Sequence, residues 1–342
     1  MGAMKYTQAD FKSDQEVKWC PGCGDHFILN AVQKAMPDVA EIAGRNRSEF
    51  VVVSGIGCSS RFPYYMKTYG FHSIHGRANA IATGLKVANP GVSVFVATGD
   101  GDSLAIGGNH FIHAIRRNID LNVVLFNNEI YGLTKGQYSP TSKLGKITKT
   151  SPYGTIEKPF NPGELIIGAK GTFFARSIDV EVDLTRQCLV RAAQHDGFSI
   201  TEVLQNCVIF NDGAHAAFAK DKATRAEHTI VLRDGEKMLF GANKDKGIVL
   251  DGFKLKVVTI GEDGYTIDDV LTHDSKEPTT YIHNALASMK YPDFPVALGV
   301  IRDVDEPTYN REVARQVAEV QEKSKIKCMD DLLNSGETWT IE

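Results

Sequence analysis

Six residues carry the first chemical signal. Trp19-Cys20-Pro21-Gly22-Cys23-Gly24 sets two thiols in a C-x-x-C pair. Asp25 follows as a candidate helix cap, and apolar Ile28, Ala31, Val32, Ala35 and Met36 recur behind it at helical spacing. The pair therefore stands at a helix start, where the dipole favours thiolates. Three chemistries use such a pair: a redox dithiol, half of a zinc site, or half of an iron–sulfur site. Two further cysteines follow apolar runs. Cys58 lies in Ser54-Gly55-Ile56-Gly57-Cys58-Ser59-Ser60-Arg61, and Cys207 closes Gln205-Asn206-Cys207. In a parallel sheet both fall on the ligand-binding side, so Cys20, Cys23, Cys58 and Cys207 can meet. Four thiolates suit a 4Fe-4S cluster or zinc. A dithiol alone leaves Cys58 and Cys207 unexplained. Cys188 and Cys328 read as buried small hydrophobes.

A second group is rich in glycine and oxygen donors. Gly99-Asp100-Gly101-Asp102 ends one apolar run, and Asn127-Asn128-Glu129-Ile130-Tyr131-Gly132 ends the next. The glycines let backbone N–H groups approach an anion at a helix start. Asp100 and Asn128 are 28 positions apart. One carboxylate, one amide oxygen, a backbone carbonyl and two diphosphate oxygens nearly complete the octahedron of Mg²⁺. The spacing is that of a thiamine diphosphate motif. A dinucleotide fingerprint is disfavoured, because the first strand–helix turn reads GIGCSS. His75 precedes a helix and reads either as a cofactor contact or as a capping or core histidine. Arg61 reads either as a partner for a substrate carboxylate or as half of a surface ion pair. Lys135 reads as a phosphate partner or as a solvated lysine.

These residues need a scaffold. Phe50–Ile56, Val92–Thr98, Asn122–Phe126, Thr172–Ile178 and Ser199–Leu204 are near-continuous apolar runs, as in strands covered on both faces. Helical patterns at Ala78–Ala88, Leu104–Arg117 and Leu184–His195 alternate with them. The expectation is an α/β, doubly wound, mostly parallel sheet over residues 15–210. Gly132–Gly163 has no period and reads as a lid or ligand-covering loop. Residues 211–342 read as a C-terminal α+β accessory region. Hairpins are expected at Asp234-Gly235 and Asp251-Gly252, then a helix near Tyr281–Met289, a strand near Val296–Arg302 and a helix near Arg311–Lys325.

Composition narrows the class. The 342 residues are 42% hydrophobic and 23% charged, with a net charge of −4, which excludes nucleic-acid binding driven by overall charge. No apolar run reaches the ~18 residues of a membrane span. The opening MGAMKYTQADFK has no apolar leader core. A cytoplasmic protein with reduced cysteines is expected.

Together the segments WCPGCGDH (19–26), SGIGCSSR (54–61), HSIHGRANAIATGLK (72–86), GDGDSLAIGGNHFIHAIRRN (99–118), NNEIYGLTKGQYSPTS (127–142) and QNC (205–207) closely resemble the β subunit of 2-oxoacid:ferredoxin oxidoreductases. The run YGLTKGQ is similar to the 2-oxoglutarate-type branch. The resemblance covers roughly residues 15–215 and implies a thiamine-diphosphate-binding fold. It implies that Cys20, Cys23, Cys58 and Cys207 ligate one 4Fe-4S cluster, and that Asp100, Asn128 and the carbonyl of Ile130 hold Mg²⁺. It implies a diphosphate cradle at Gly57, Gly99, Gly101, Gly132, Leu133 and Thr134, with Ile56, Cys58, Ser59, His75 and Asp102 beside the cofactor and Arg61 at the substrate. The implied reaction is oxidative decarboxylation of 2-oxoglutarate to succinyl-CoA and CO₂, or its reverse, with coenzyme A as co-substrate and electrons passed singly to ferredoxin. The pyrimidine-binding half lies on a separate α subunit, so this chain alone is expected to be inactive. Pyruvate or branched 2-oxoacids are alternative substrates. A non-redox thiamine lyase with a structural Cys₄ zinc, and an iron–sulfur carrier without a working cofactor site, are the readings from other classes.

Overall fold

The computed structural model describes residues 5–341. Met1–Met4, part of the segment read as lacking a leader, lie outside the described residues. The strands are β1 (Phe50–Ser54), β2 (Tyr69–His72), β3 (Ser93–Gly99), β4 (Leu121–Asn127), β5 (Phe173–Ile178), β6 (Phe198–Leu204), β7 (Thr229–Leu232), β8 (Leu239–Phe240), β9 (Lys246–Asp251), β10 (Lys254–Thr259) and β11 (Val296–Asp303). The helices are α1 (Asp25–Ala43), α2 (Phe62–Tyr65), α3 (Ala78–Ala88), α4 (Asp100–Leu104), α5 (Gly108–Arg117), α6 (Pro162–Gly168), α7 (Val182–Gln194), α8 (Ala216–Ala219), α9 (Lys222–His228), α10 (Tyr281–Ser288), α11 (Tyr309–Lys323) and α12 (Met329–Leu333). No helix among the described residues is long and apolar enough to cross a membrane.

One eight-stranded sheet runs β2-β1-β3-β4-β6-β5-β11-β7. Its first six strands are mutually parallel. Alternate residues explain the layers. Val52, Phe95, Ala97, Val124 and Phe126 pack on one face with α1 and Leu189 of α7. Val53, Val94, Val96, Val123 and Leu125 pack on the other with α3 and α5. Strands buried on both faces are largely apolar, which is why β4 reads as a near-continuous apolar run and why β5 and β6, buried at every position, are broken only by residues such as Arg176 and Glu202. Each fully buried Val or Phe contributes about 1.5–3 kcal/mol.

The sheet order also explains convergence. β1, β3, β4 and β6 are consecutive neighbours. Their carboxyl ends therefore deliver Cys58, Asp100, Asn128 and Cys207 to one rim. The chain moves from β1 outward to β2, then crosses back to β3 beside β1. That reversal opens a crevice between β1 and β3, where ligands of open α/β sheets bind.

Beyond residue 211 the structure departs from expectation. The Asp251-Gly252 hairpin forms, pairing β9 with β10. The Asp234-Gly235 hairpin does not. β7 instead joins the main sheet parallel to β11, and β11 runs antiparallel to β5. Tertiary pairing outcompetes the local turn. Asp234 accepts from Ser275 N at 2.7 Å and from Ser275 Oγ at 2.8 Å, and Gly235 N donates to His273 O. The helix expected from Leu104 is split into α4 and α5, because Ala105 leaves helical geometry and Gly107 packs under Gly76. Cys188 is buried as expected, but Cys328 is exposed, ahead of α12.

Candidate active site

Ile56, Gly57, Cys58, Ser59, His75, Gly99, Asp100, Gly101, Asp102, Asn128, Ile130, Gly132, Leu133 and Thr134 line one cavity of about 300 Å³. Tyr131, Phe126, Ile106 and Gln137 complete its wall. Asp100 is 2% exposed. Burial pushes its carboxyl up to about 6, and hydrogen bonds from Ser139 and Thr141 pull the other way. Both hydroxyls donate to Asp100 Oδ2 at 2.5 Å. Asn128 Oδ1 accepts from Ile130 N at 3.1 Å, which curls the strand end. Glu129 takes φ +57 at that turn. Gly101 must be glycine, since a Cβ there would stand 2.2 Å from the Tyr131 ring. Tyr131 OH donates to the Gly101 carbonyl at 3.0 Å.

Asp102 lines the cavity, but its carboxylate is already engaged. Oδ1 accepts from Gly76 N at 2.7 Å and from Ile56 N at 3.2 Å, and Oδ2 accepts from Thr98 Oγ1 at 3.0 Å. Its side chain ties the loops at Ile56 and Gly76 to the end of β3. His75 is exposed at the cavity wall. Arg61 is exposed on the turn after Cys58 and is not among the lining residues. Burial raises the Cys58 thiol, and the Arg61 charge opposes that only as a minor contribution.

Sequence reasoning missed what lies beneath Asp100. Gly132, Leu133, Thr134 and Gln137, at the start of Gly132–Gly163, line the cavity, and the chain then turns inward beneath Asp100. Ser139, Thr141 and Ser142 are buried and buttress the floor. Thr141 Oγ1, whose proton points to Asp100, also stands 3.0 Å from Asn127 Oδ1, and Asn127 Nδ2 donates to Glu202 Oε1 at 2.7 Å. Glu202 Oε2 accepts from Arg176 Nε at 2.6 Å. That ion pair is almost wholly buried. Glu202→Ala strands the Arg176 charge, and a stability loss of about 3–5 kcal/mol is expected in a denaturant melt. The alternation signal hid both residues, because a polar side chain inside a buried strand looks like a solvent-facing one.

His215 Nε2 donates to the Asn127 carbonyl at 3.2 Å, and burial pushes its imidazole down to about 4. The unfolded chain binds that proton near pH 6.5, so between these values it holds more protons than the folded chain. Stability is therefore lost as pH falls through this window, by at most about 1.4 kcal/mol per unit. Melts at about pH 7 and about pH 4.5 should show a smaller acid loss in His215→Gln than in the parent.

The cysteines complete the rim. Cys20, Cys23, Cys58 and Cys207 are all free thiols. Pro21 and Gly22, the latter at φ +79, turn the chain so that Cys23 N donates to Cys20 O at 3.1 Å. Gly24 N donates to Asn206 O, strapping this turn to the Gln205-Asn206-Cys207 segment. Asp25 does not cap α1. It begins the helix, 1% exposed, and burial pushes its carboxyl up to about 7. A Cβ on Gly132 would lie 3.5 Å from the sulfurs of both Cys58 and Cys207. Gly132 and Cys58 both line the cavity, and Cys207 stands just behind them. Burial pushes the Cys23 thiol far up and the Cys58 thiol to about 12, and a metal bound there would have to displace their protons. Among the described residues no three His, Cys, Asp or Glu side chains gather closely enough to hold a single metal ion. The donor sets nevertheless fit two different groups. The four soft sulfurs suit iron–sulfur or zinc, and the carboxylate and amide oxygens of Asp100 and Asn128 suit Mg²⁺.

Residues 55–203 match the thiamine pyrophosphate enzyme, C-terminal TPP binding domain. The chain is 47% identical over 336 residues to the 2-oxoglutarate oxidoreductase subunit KorB of Mycobacterium tuberculosis, covering 97% of this chain and 88% of that one. The chain belongs to the family of 2-oxoacid:ferredoxin oxidoreductase β subunits. It is 45% identical over 206 residues to the 2-oxoglutarate synthase subunit KorB of Archaeoglobus fulgidus, covering 60% of this chain and 75% of that one. Among solved structures it is similar to a 2-oxoglutarate:ferredoxin oxidoreductase from Magnetococcus marinus, with 2-oxoglutarate, coenzyme A and succinyl-CoA bound. That match has a TM-score of 0.77 at 30% identity and covers 98% of each chain. As a β subunit of this oxidoreductase family, the chain carries its thiamine-binding domain across the crevice described above.

Proposed function

We propose that the chain is the β subunit of a cytoplasmic 2-oxoglutarate:ferredoxin oxidoreductase, forming succinyl-CoA and CO₂ from 2-oxoglutarate and coenzyme A. The observation that carries this reading is the juxtaposition at Gly132, with oxygen donors on one side and thiols on the other. Asp100, Asn128 and the Ile130 carbonyl would hold Mg²⁺. The backbone at Gly57, Gly99, Gly101, Gly132 and Leu133, with the Thr134 hydroxyl, would cradle the diphosphate. Cys20, Cys23, Cys58 and Cys207 would ligate one 4Fe-4S cluster. When bound, thiamine diphosphate supplies the electron sink for decarboxylation, and the cluster takes electrons one at a time. This chain's residues would hold both groups, and Ser139 and Thr141 keep the floor under Asp100 rigid while the bare backbone at Gly132 leaves room for the Cys58 and Cys207 sulfurs. An α subunit would supply the pyrimidine-binding half, and ferredoxin would receive the electrons.

The test is anaerobic co-purification with the α subunit, followed by visible and EPR spectra on adding 2-oxoglutarate, with and without coenzyme A. A brown protein whose cluster band bleaches on substrate is expected. A colourless, zinc-bearing protein indifferent to 2-oxoacids would replace this reading with a non-redox lyase. For the substrate, Arg61→Ala should reduce 2-oxoglutarate turnover about tenfold or more relative to pyruvate, the loss of one charge-assisted pair. Equal losses would remove Arg61 from substrate selection.

A further inference from the structure

We infer that the side-chain amide of Gln205 donates a hydrogen bond to the cluster ligand Cys23 and thereby sets the potential at which the centre accepts an electron. The inference rests on the 4Fe-4S reading above. Gln205 is fully buried. Its Nε2 stands 3.3 Å from Cys23 Sγ and 2.6 Å from the Asn206 carbonyl oxygen. The amide can face only one way. Both neighbours are acceptors once Cys23 is a thiolate, and the opposite orientation would press Oε1 against a carbonyl oxygen and an anionic sulfur.

The orientation has a cost that packing does not explain. Gln205 Oε1 is left buried with no hydrogen-bond partner, and an apolar side chain of similar size would avoid that penalty. A polar residue is kept at the one place where its N–H₂ meets a thiol. Reduction adds negative charge to the cluster, and a donor to a ligand sulfur stabilises the more negative state. Gln205 is thus a positioning residue that raises the reduction potential.

The experiment is an EPR-monitored redox titration of the anaerobic αβ holoenzyme, with iron and sulfide assayed in every sample. Gln205→Leu removes the donor. Gln205→Asn keeps the amide but withdraws it by one methylene, and it decides the matter if the leucine variant does not fold. Both variants are expected to retain iron and sulfide. Both should make cluster reduction about tenfold less favourable, a shift of about 59 mV to lower potential for one electron. An unchanged or raised potential in a cluster-bearing variant overturns the role of Gln205 and leaves the cluster standing. A parent holoenzyme without iron and sulfide overturns both.

Discussion

Asp100→Ala is expected to abolish turnover by removing Mg²⁺-dependent binding of thiamine diphosphate. Asp100 is the single carboxylate in the proposed ligand set, and its environment is built around it. Two hydroxyls fix Oδ2, and Thr141 ties them through Asn127 to the Arg176–Glu202 pair. Partners around a metal ligand typically contribute 10–100-fold to affinity, so loss of the ligand itself should cost more than ~100-fold. Calorimetric titration of the holoenzyme with thiamine diphosphate and Mg²⁺ measures it. Retention of affinity within about threefold would sink the assignment. Because the methyl of alanine leaves Ser139 and Thr141 free to bond each other, the fold should persist, and an unchanged melting curve separates this effect from unfolding.

The second large effect is expected from Cys207→Ala. Cys207 does not line the cofactor cavity, whereas Cys58 does. Its loss should therefore spare cofactor affinity while destroying the proposed 4Fe-4S site. The expected protein is pale, low in iron and sulfide, and more than ~100-fold slower in ferredoxin reduction. Cofactor affinity should stay within about threefold. Full iron content and unimpaired ferredoxin reduction would remove Cys207 from the ligand set. A matched loss of cofactor affinity would instead show that the two sites are one packing unit.

The parallel strands were legible because continuous Val, Ile and Phe runs have a single physical cause, burial on both faces. The strand-end motifs were legible because a carboxylate, an amide and thiols follow those runs directly. β2 was not, because its residues Tyr69–His72 form an exposed edge with no apolar run. The pairing of β7 was hidden by a good local turn sequence that loses to contacts with Ser275 and His273. Asp102 was read beside the cofactor from its place in GDGD, and it lines the cavity, but its ties to Gly76 N, Ile56 N and the Thr98 hydroxyl were not legible in the spacing. Ser139 and Thr141 lie in an aperiodic stretch, where nothing in spacing reveals that a loop doubles back beneath a strand end.

The position of β6 bears on how the protein comes into being. β5 pairs with β6 and β11 alone, and both follow it in the chain. During synthesis β5 therefore waits, unpaired, until β6 emerges and slots between it and β4. Cys207 trails β6 by only a few residues, so the fourth thiol reaches the rim as the last parallel strand locks in. A nascent chain carries at most three of the four cysteines until that moment. A centre held by all four cysteines would thus be completed only after β6 has joined β4, and a chain stalled before residue 207 could not form it.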